Sequence, residues 1–194
     1  MKPCFEPQKT DMRRNLYVIS GPSGVGKDTV VKELLKRYPY VKKTVSVTTR
    51  KRRETEKDGV DYYYVHRDKF YELRQHGDMV EYALYDGEYY GTLYSEIERH
   101  PDNTPVILVI DVRGRRNVLT RYPSAKSIFI IPPSFEVLKQ RIIRRKQNSP
   151  DEIERRLEVA KHEMEEAQFY TYCVINDDIE RCMKEIIEIM NAGG

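Results

Sequence analysis

The chain has 194 residues, a length that suits one compact domain with insertions and buries about 70% of the surface of the unfolded chain. Its 34 Lys and Arg against 31 Asp and Glu leave a net charge of +3, too even a balance to recruit nucleic acid or a membrane surface. Cys4, Cys173 and Cys182 stand at unrelated spacings that make neither a disulfide framework nor a metal site, which suits a reducing, cytoplasmic setting, and the longest apolar run, 106–110, is far too short to cross a bilayer.

Residues 1–14 are polar, carry Pro3, Pro7, Lys9 and Asp11, and lack the apolar core of a signal peptide, so they read as a disordered tail ahead of a domain spanning 15–191. The first predicted strand is the apolar run 16–19. Val30, Val31, Leu34, Leu35 and Tyr38 then mark one face of a helix. Between the two lies Gly21-Pro22-Ser23-Gly24-Val25-Gly26-Lys27. A glycine-rich turn there aims successive N–H groups at phosphate oxygens, the helix N-terminus adds positive potential, and a lysine reaches the β- and γ-phosphates. Gly21 through Lys27, with Asp28 and Thr29, are therefore candidate ATP-binding residues. The pattern departs from the usual one directly after the lysine, where a Ser or Thr hydroxyl ordinarily ligates Mg²⁺ and this chain has Asp28, then Thr29. A carboxylate is also a good oxygen ligand, so either Asp28 or Thr29 can hold the ion.

Over 42–92 the pattern becomes tyrosine-rich, charged and alternating, punctuated by Gly59, Gly77, Gly87 and Gly91, which predicts a small antiparallel insertion. The core resumes at 93–140 with predicted strands over 106–110 and 127–131 and a helix marked by Phe135, Leu138 and Ile142. An arginine-rich stretch over 141–158 reads as a helical lid. Ser149 as N-cap, Pro150 at the first helical position and Glu152 closing a capping box start a long helix through Ile153, Leu157, Ala160, Met164 and Ala167. A strand over 172–175, read like the other core strands as buried on both faces, and a helix through Ile179, Met183, Ile186 and Met190 complete the core, 159–191. The alternation predicts an α/β fold, a P-loop NTPase-type parallel sheet flanked by helices, with an inserted subdomain and a lid that together close over a site.

From Ser46 the chain reads Ser-Val-Thr-Thr-Arg-Lys-Arg-Arg-Glu-Thr-Glu-Lys-Asp-Gly-Val-Asp-Tyr, and here it resembles guanylate kinases. The matching positions are Ser46, Thr49, Arg50, Arg53, Glu56, Gly59 and Tyr62. A second block matches at Glu81-Tyr82-Ala83 and at Gly87-Glu88-Tyr89-Tyr90-Gly91-Thr92, and with Asp111, Gly114, the lid arginines and Asn176 the resemblance runs from about 15 to 190. It implies a nucleoside monophosphate kinase that transfers the γ-phosphoryl group of ATP to GMP in purine nucleotide metabolism, with Mg²⁺ as the companion of ATP. The implied substrates are small molecules, the implied assembly a monomer or homodimer, and no nucleic acid or membrane takes part.

The residue chemistry agrees with that resemblance. A phosphate dianion is best gripped by guanidinium forks beside tyrosine hydroxyls, as Arg50, Arg53, Tyr62 and Tyr90 supply, with Glu56 to hold an arginine in place. Guanine differs from adenine by donors at N1 and N2, for which the carboxylates of Glu81 and Asp111 are suited acceptors. Ser46 and Thr92 fall at family positions that add hydroxyl contacts to the base, Asn176 at an ATP-binding position, and Arg141, Arg145 and Arg156 where lid arginines meet the transferring phosphoryl group. The GMP oxygen is already anionic, so no general base is needed, and His66, His76, His100 and His162 receive no role. One further departure concerns Val109, where the family commonly places an acidic residue near the metal; Asp28 is expected to compensate for it. A non-catalytic interaction module is disfavoured by the retained Lys27 and arginines, and a kinase for a ribose bisphosphate by the guanine set Ser46, Glu81 and Asp111.

Overall fold

A computed structural model describes residues 15–144 and 150–192, so the predicted tail, Arg145 and the predicted N-cap Ser149 lie outside the described residues. In chain order the elements are β1 (Leu16–Ser20), α1 (Lys27–Arg37), β2 (Lys42–Lys43), β3 (Ser46–Thr48), β4 (Tyr62–Tyr64), α2 (Arg67–Gln75), β5 (Met79–Tyr85), β6 (Glu88–Leu93) and α3 (Tyr94–Glu98). They continue with β7 (Val106–Val109), α4 (Val112–Arg121), β8 (Lys126–Ile131), α5 (Phe135–Arg144), α6 (Pro150–Glu165), β9 (Tyr172–Ile175) and α7 (Ile179–Asn191).

β1 is buried along its whole length because it lies at the centre of a parallel sheet in the order β2-β7-β1-β8-β9, with helices on both faces. Its residues alternate between two cores. Tyr17 and Ile19 join Val30, Val31 and Leu34 of α1 and Met183 and Ile186 of α7, whereas Leu16 and Val18 join Leu108 and Val118 of β7 and α4. The buried Tyr17 hydroxyl donates to the Met190 carbonyl at 2.9 Å, which ties α7 to the central strand. Asp178 caps α7 by accepting from the Arg181 N–H at 2.9 Å.

Three expectations are corrected. Lys42 and Lys43, expected in the insertion, pair in parallel with β7 and form the edge of the main sheet. The insertion is not purely antiparallel: its sheet runs β4-β3-β6-β5 with β3 and β4 parallel, and the chain between those elements and β5 carries α2, whose Phe70 is the fully buried plug of this small core. β9, expected to be buried on both faces, is an edge strand that exposes Cys173 and Ile175. The expected start of the long helix at Pro150 coincides with the first residue of α6.

Candidate functional site

The carboxyl ends of β1 and β7 face the insertion sheet across a cleft, as a parallel α/β sheet places its ligand crevice. One wall is the turn between β1 and α1. Gly24 and Gly26 hold φ of 86° and 99°, a left-handed backbone that a side chain disfavours, and so the loop coils tightly enough to turn its N–H groups inward. The turn is tied from behind. Asn176 Nδ2 donates to the Val25 carbonyl at 2.7 Å, and Arg141 bridges that carbonyl at 2.9 Å and the Asn176 carbonyl at 3.0 Å. Lys27 Nζ donates to the Gly21 carbonyl at 2.5 Å and to that of Pro22 at 3.3 Å, across the mouth of the loop. Asp28 lines the cleft while Thr29 is exposed outside it, and Val109 lines the cleft opposite.

The other wall carries the arginine and tyrosine set. Arg50 Nη2 donates to Glu56 Oε1 at 2.8 Å, and Glu56 Oε2 accepts from the Arg53 N–H at 2.9 Å and the Tyr64 hydroxyl at 2.8 Å. Partial burial opposes the charge of Glu56, but Arg50, the Arg53 N–H and Tyr64 outweigh it and hold the carboxyl down at about 2. The Arg50 guanidinium lies over the rings of Tyr62 and Tyr64 at 5.5 and 5.9 Å, so its plane is fixed on three sides. Burial, then the Asp28 carboxylate, push the Tyr62 hydroxyl above its usual range, which keeps it a hydrogen-bond donor. Tyr62 and Tyr90 meet edge to face at 5.9 Å on the cleft surface, whereas the Arg53 side chain is exposed, 3.9 Å from Glu56.

At the deep end Glu81 is 4% exposed and accepts from the Thr92 hydroxyl at 2.7 Å. Burial raises its carboxyl to about 7, the Thr92 hydroxyl opposes the shift, and the nearby Asp111 adds to it. Asp111 caps α4 with one oxygen, which accepts from the Arg113 and Gly114 N–H groups at 3.0 Å each. A Cβ on Gly114 would fall 2.4 Å from Glu81 Oε2, so any larger residue there would force the buried carboxylate to shift. Two carboxylates and the buried Ser46 thus converge on one pocket.

The remaining arginines are more scattered. Arg156 pairs with Glu152 at 3.2 Å and sits beside Tyr85 rather than in the main cleft, Arg155 reaches Asp86 at the β5–β6 turn at 2.8 Å, and Arg145 lies outside the described residues. Three residues absent from the sequence reading, Tyr64, Tyr85 and Glu163, belong to this neighbourhood, and so does Lys43, which that reading placed in the insertion without a role in the site. Burial lowers the Lys43 ammonium below its usual range while Asp28, Asp61 and Glu96 work in the opposite direction. Glu163 of α6 lines the cleft and accepts from the Ser23 N–H at 2.9 Å. No short motif marks either residue. Among the described residues no helix is long and apolar enough to cross a membrane, and no group of three or more His, Cys, Asp and Glu forms a metal cluster.

This chain is similar to known proteins along nearly all of its length. A family model described as guanylate kinase matches residues 13–193. The guanylate kinase of Thiobacillus denitrificans is 40% identical over 175 residues, covering 90% of this chain and 84% of its own, and that of a Nostoc species is 40% identical over 184 residues, covering 94% and 92%. The crystal structure of guanylate kinase from Anaplasma phagocytophilum superposes with a TM-score of 0.76 at 34% identity, covering 92% of this chain and 85% of that one.

Proposed function

The chain belongs to the guanylate kinase family and phosphorylates GMP from ATP, and on that premise we propose how the cleft between the β1–α1 turn and the insertion sheet carries out the transfer. ATP seats its phosphates on the turn 21–27, where the N–H groups, the start of α1 and Lys27 meet the negative charge. GMP lies opposite, its phosphate on Arg50, Arg53, Tyr62 and Tyr90 and its guanine against Glu81, Asp111, Ser46 and Thr92. Glu56 fixes the Arg50 fork from behind, so little freedom is lost when a dianion arrives. The observation that carries this reading is the convergence of the phosphate turn and the Glu81–Asp111 pair on one cleft.

The acceptor oxygen of GMP is nucleophilic without help, so the protein's task is alignment, charge neutralisation and exclusion of water. Arg141 adds positive charge directly behind the turn, and Arg145 and Arg156 come to the transferring group with the lid. The carboxylate of Asp28, exposed on the cleft beside Lys27, fits a hard cation that takes the rest of its oxygens from phosphates and water. Mg²⁺ held there would supply charge neutralisation at the β- and γ-phosphates. Val109 offers the ion nothing, which leaves Asp28 as the acidic group of the turn. Asn176 serves the ATP side by fixing the loop through the Val25 carbonyl. Among the described residues, free thiols at Cys173 and Cys182 suit a cytoplasmic enzyme. A coupled assay of ADP release with GMP, AMP or ribose 1,5-bisphosphate as acceptor tests the reading: turnover with GMP alone is expected, and no turnover with GMP at saturating Mg·ATP would overturn it.

A further inference from the structure

The N–H of Ser23 belongs to the anion-binding turn, yet a carboxylate of the protein itself holds it, Glu163 Oε2 at 2.9 Å. Glu163 reaches the turn from α6 and shares the cleft with Lys27, Gly24 and Gly26. Two anions cannot share one N–H donor, and a carboxylate within contact distance of a triphosphate is repelled in a site screened from water. Donor phosphate and Glu163 therefore compete for the same seat.

We propose that Glu163 is a positioning residue that holds the place of the donor phosphate, so that ATP entering the turn displaces it and thereby moves α6. Arg156 lies seven residues before Glu163, two turns along the same face of α6, and it already borders Tyr85, which lines the cleft between them. Motion of one end of this face is transmitted to the other because the helix is rigid over that length. Burial raises the Glu163 carboxyl above its usual range, with the Ser23 N–H and Lys27 opposing, which marks the seat as costly for a second negative charge. The inference rests on the reading of residues 21–27 as the ATP turn.

Calorimetry of Mg·ATP binding, without GMP, to the full chain and to Glu163→Gln tests it. The neutral amide keeps the shape but competes less strongly for the N–H, so ATP should bind the variant roughly tenfold more tightly, with KM for ATP falling in step and KM for GMP unchanged. A residue that merely braces the turn gives the opposite sign: equal or weaker ATP binding in the variant overturns the proposal. Amide hydrogen exchange on the unaltered protein supplies a second readout. Mg·ATP should change exchange at residues 158–165 of α6 as well as at 21–27, and a response confined to the turn would overturn displacement. Failure of the unaltered protein to bind Mg·ATP at all would instead sink the reading of the turn.

Discussion

Glu81 is placed where its charge is least welcome. Its folded-state value of about 7 stands above the ordinary 4.5, so between those limits the folded protein keeps a proton that the unfolded chain has lost. The stability this group contributes is fully present below the unfolded value and is lost as pH rises through 7, a change of about 3 kcal/mol. Glu81→Gln should thus stabilise the ligand-free protein at about pH 8 by roughly 1–3 kcal/mol in urea denaturation. The same change should raise KM for GMP roughly a hundredfold, because the amide turns a donor toward the guanine donors. GMP selects the ionised carboxylate, so in the unaltered protein its KM should fall about tenfold between about pH 6 and pH 8 and level off above that. A KM for GMP that stays flat across this range would show that Glu81 does not receive the base. Arg50 obeys the opposite logic: Glu56, Tyr62 and Tyr64 hold it charged and still, and Glu56→Gln should raise KM for GMP several-fold while KM for ATP stays put, as steady-state kinetics would report.

At the scale of elements, two helix starts line the cleft, and each has its own constraint. α4 is capped by Asp111 and packs Gly114 against Glu81, whose carboxylate a methyl group there would displace. Gly114→Ala should destabilise the fold by about 1–2 kcal/mol and raise KM for GMP with little effect on ATP, and thermal unfolding with parallel kinetics would check both. α1 begins at Lys27 and Asp28, opposite the apolar Val109. If Asp28 stands in for an acidic residue at 109, Asp28→Ser should shift the Mg²⁺ dependence of turnover to higher concentrations; an unchanged titration would refute the compensation. These starts were legible in the sequence because their signals are contiguous: glycines and a lysine between a strand and a helix, an aspartate ahead of a glycine. What joins them was not. Glu163 and Tyr85 stand 140 and more than 60 residues from Ser23 with no motif around them, and only the docking of α6 brings the former to the turn. Arg141 shows the same limit in another form, since the family resemblance marked it as a lid arginine while the fold sets both η nitrogens on carbonyls behind the turn. Lys42 and Lys43 resemble the charged insertion that follows them, and their place in the parallel sheet depends on β7, more than sixty residues later.

Across the whole molecule, the two sheets wall one cleft, and they are joined by the packing of β5 on α4, with Val80 buried among Leu16, Val18, Leu108 and Val118, and by polar ties. Arg113 donates to the Leu84 carbonyl at 2.9 Å and Arg155 to Asp86 at 2.8 Å, and the latter pair is largely exposed, so it holds the hairpin to α6 only weakly. So weak a tie would yield readily if α6 approached the β5–β6 turn when both ligands are bound. A dinucleotide in which five phosphates join adenosine to guanosine would span the walls and report this directly. At a hundredfold excess over its dissociation constant, a ligand of the folded state adds about 2.7 kcal/mol, or roughly 5–10 °C in Tm for a domain of this size. Each of ATP and GMP alone should approach that rise at its own hundredfold excess. The bridged molecule should exceed their sum at equal concentration, because its second half binds without a second loss of translational freedom. The Arg155→Ala protein should retain that excess within about 1 kcal/mol, as expected for an exposed pair. A bridged ligand that stabilises no more than ATP alone would mean that the walls do not face each other across a single site.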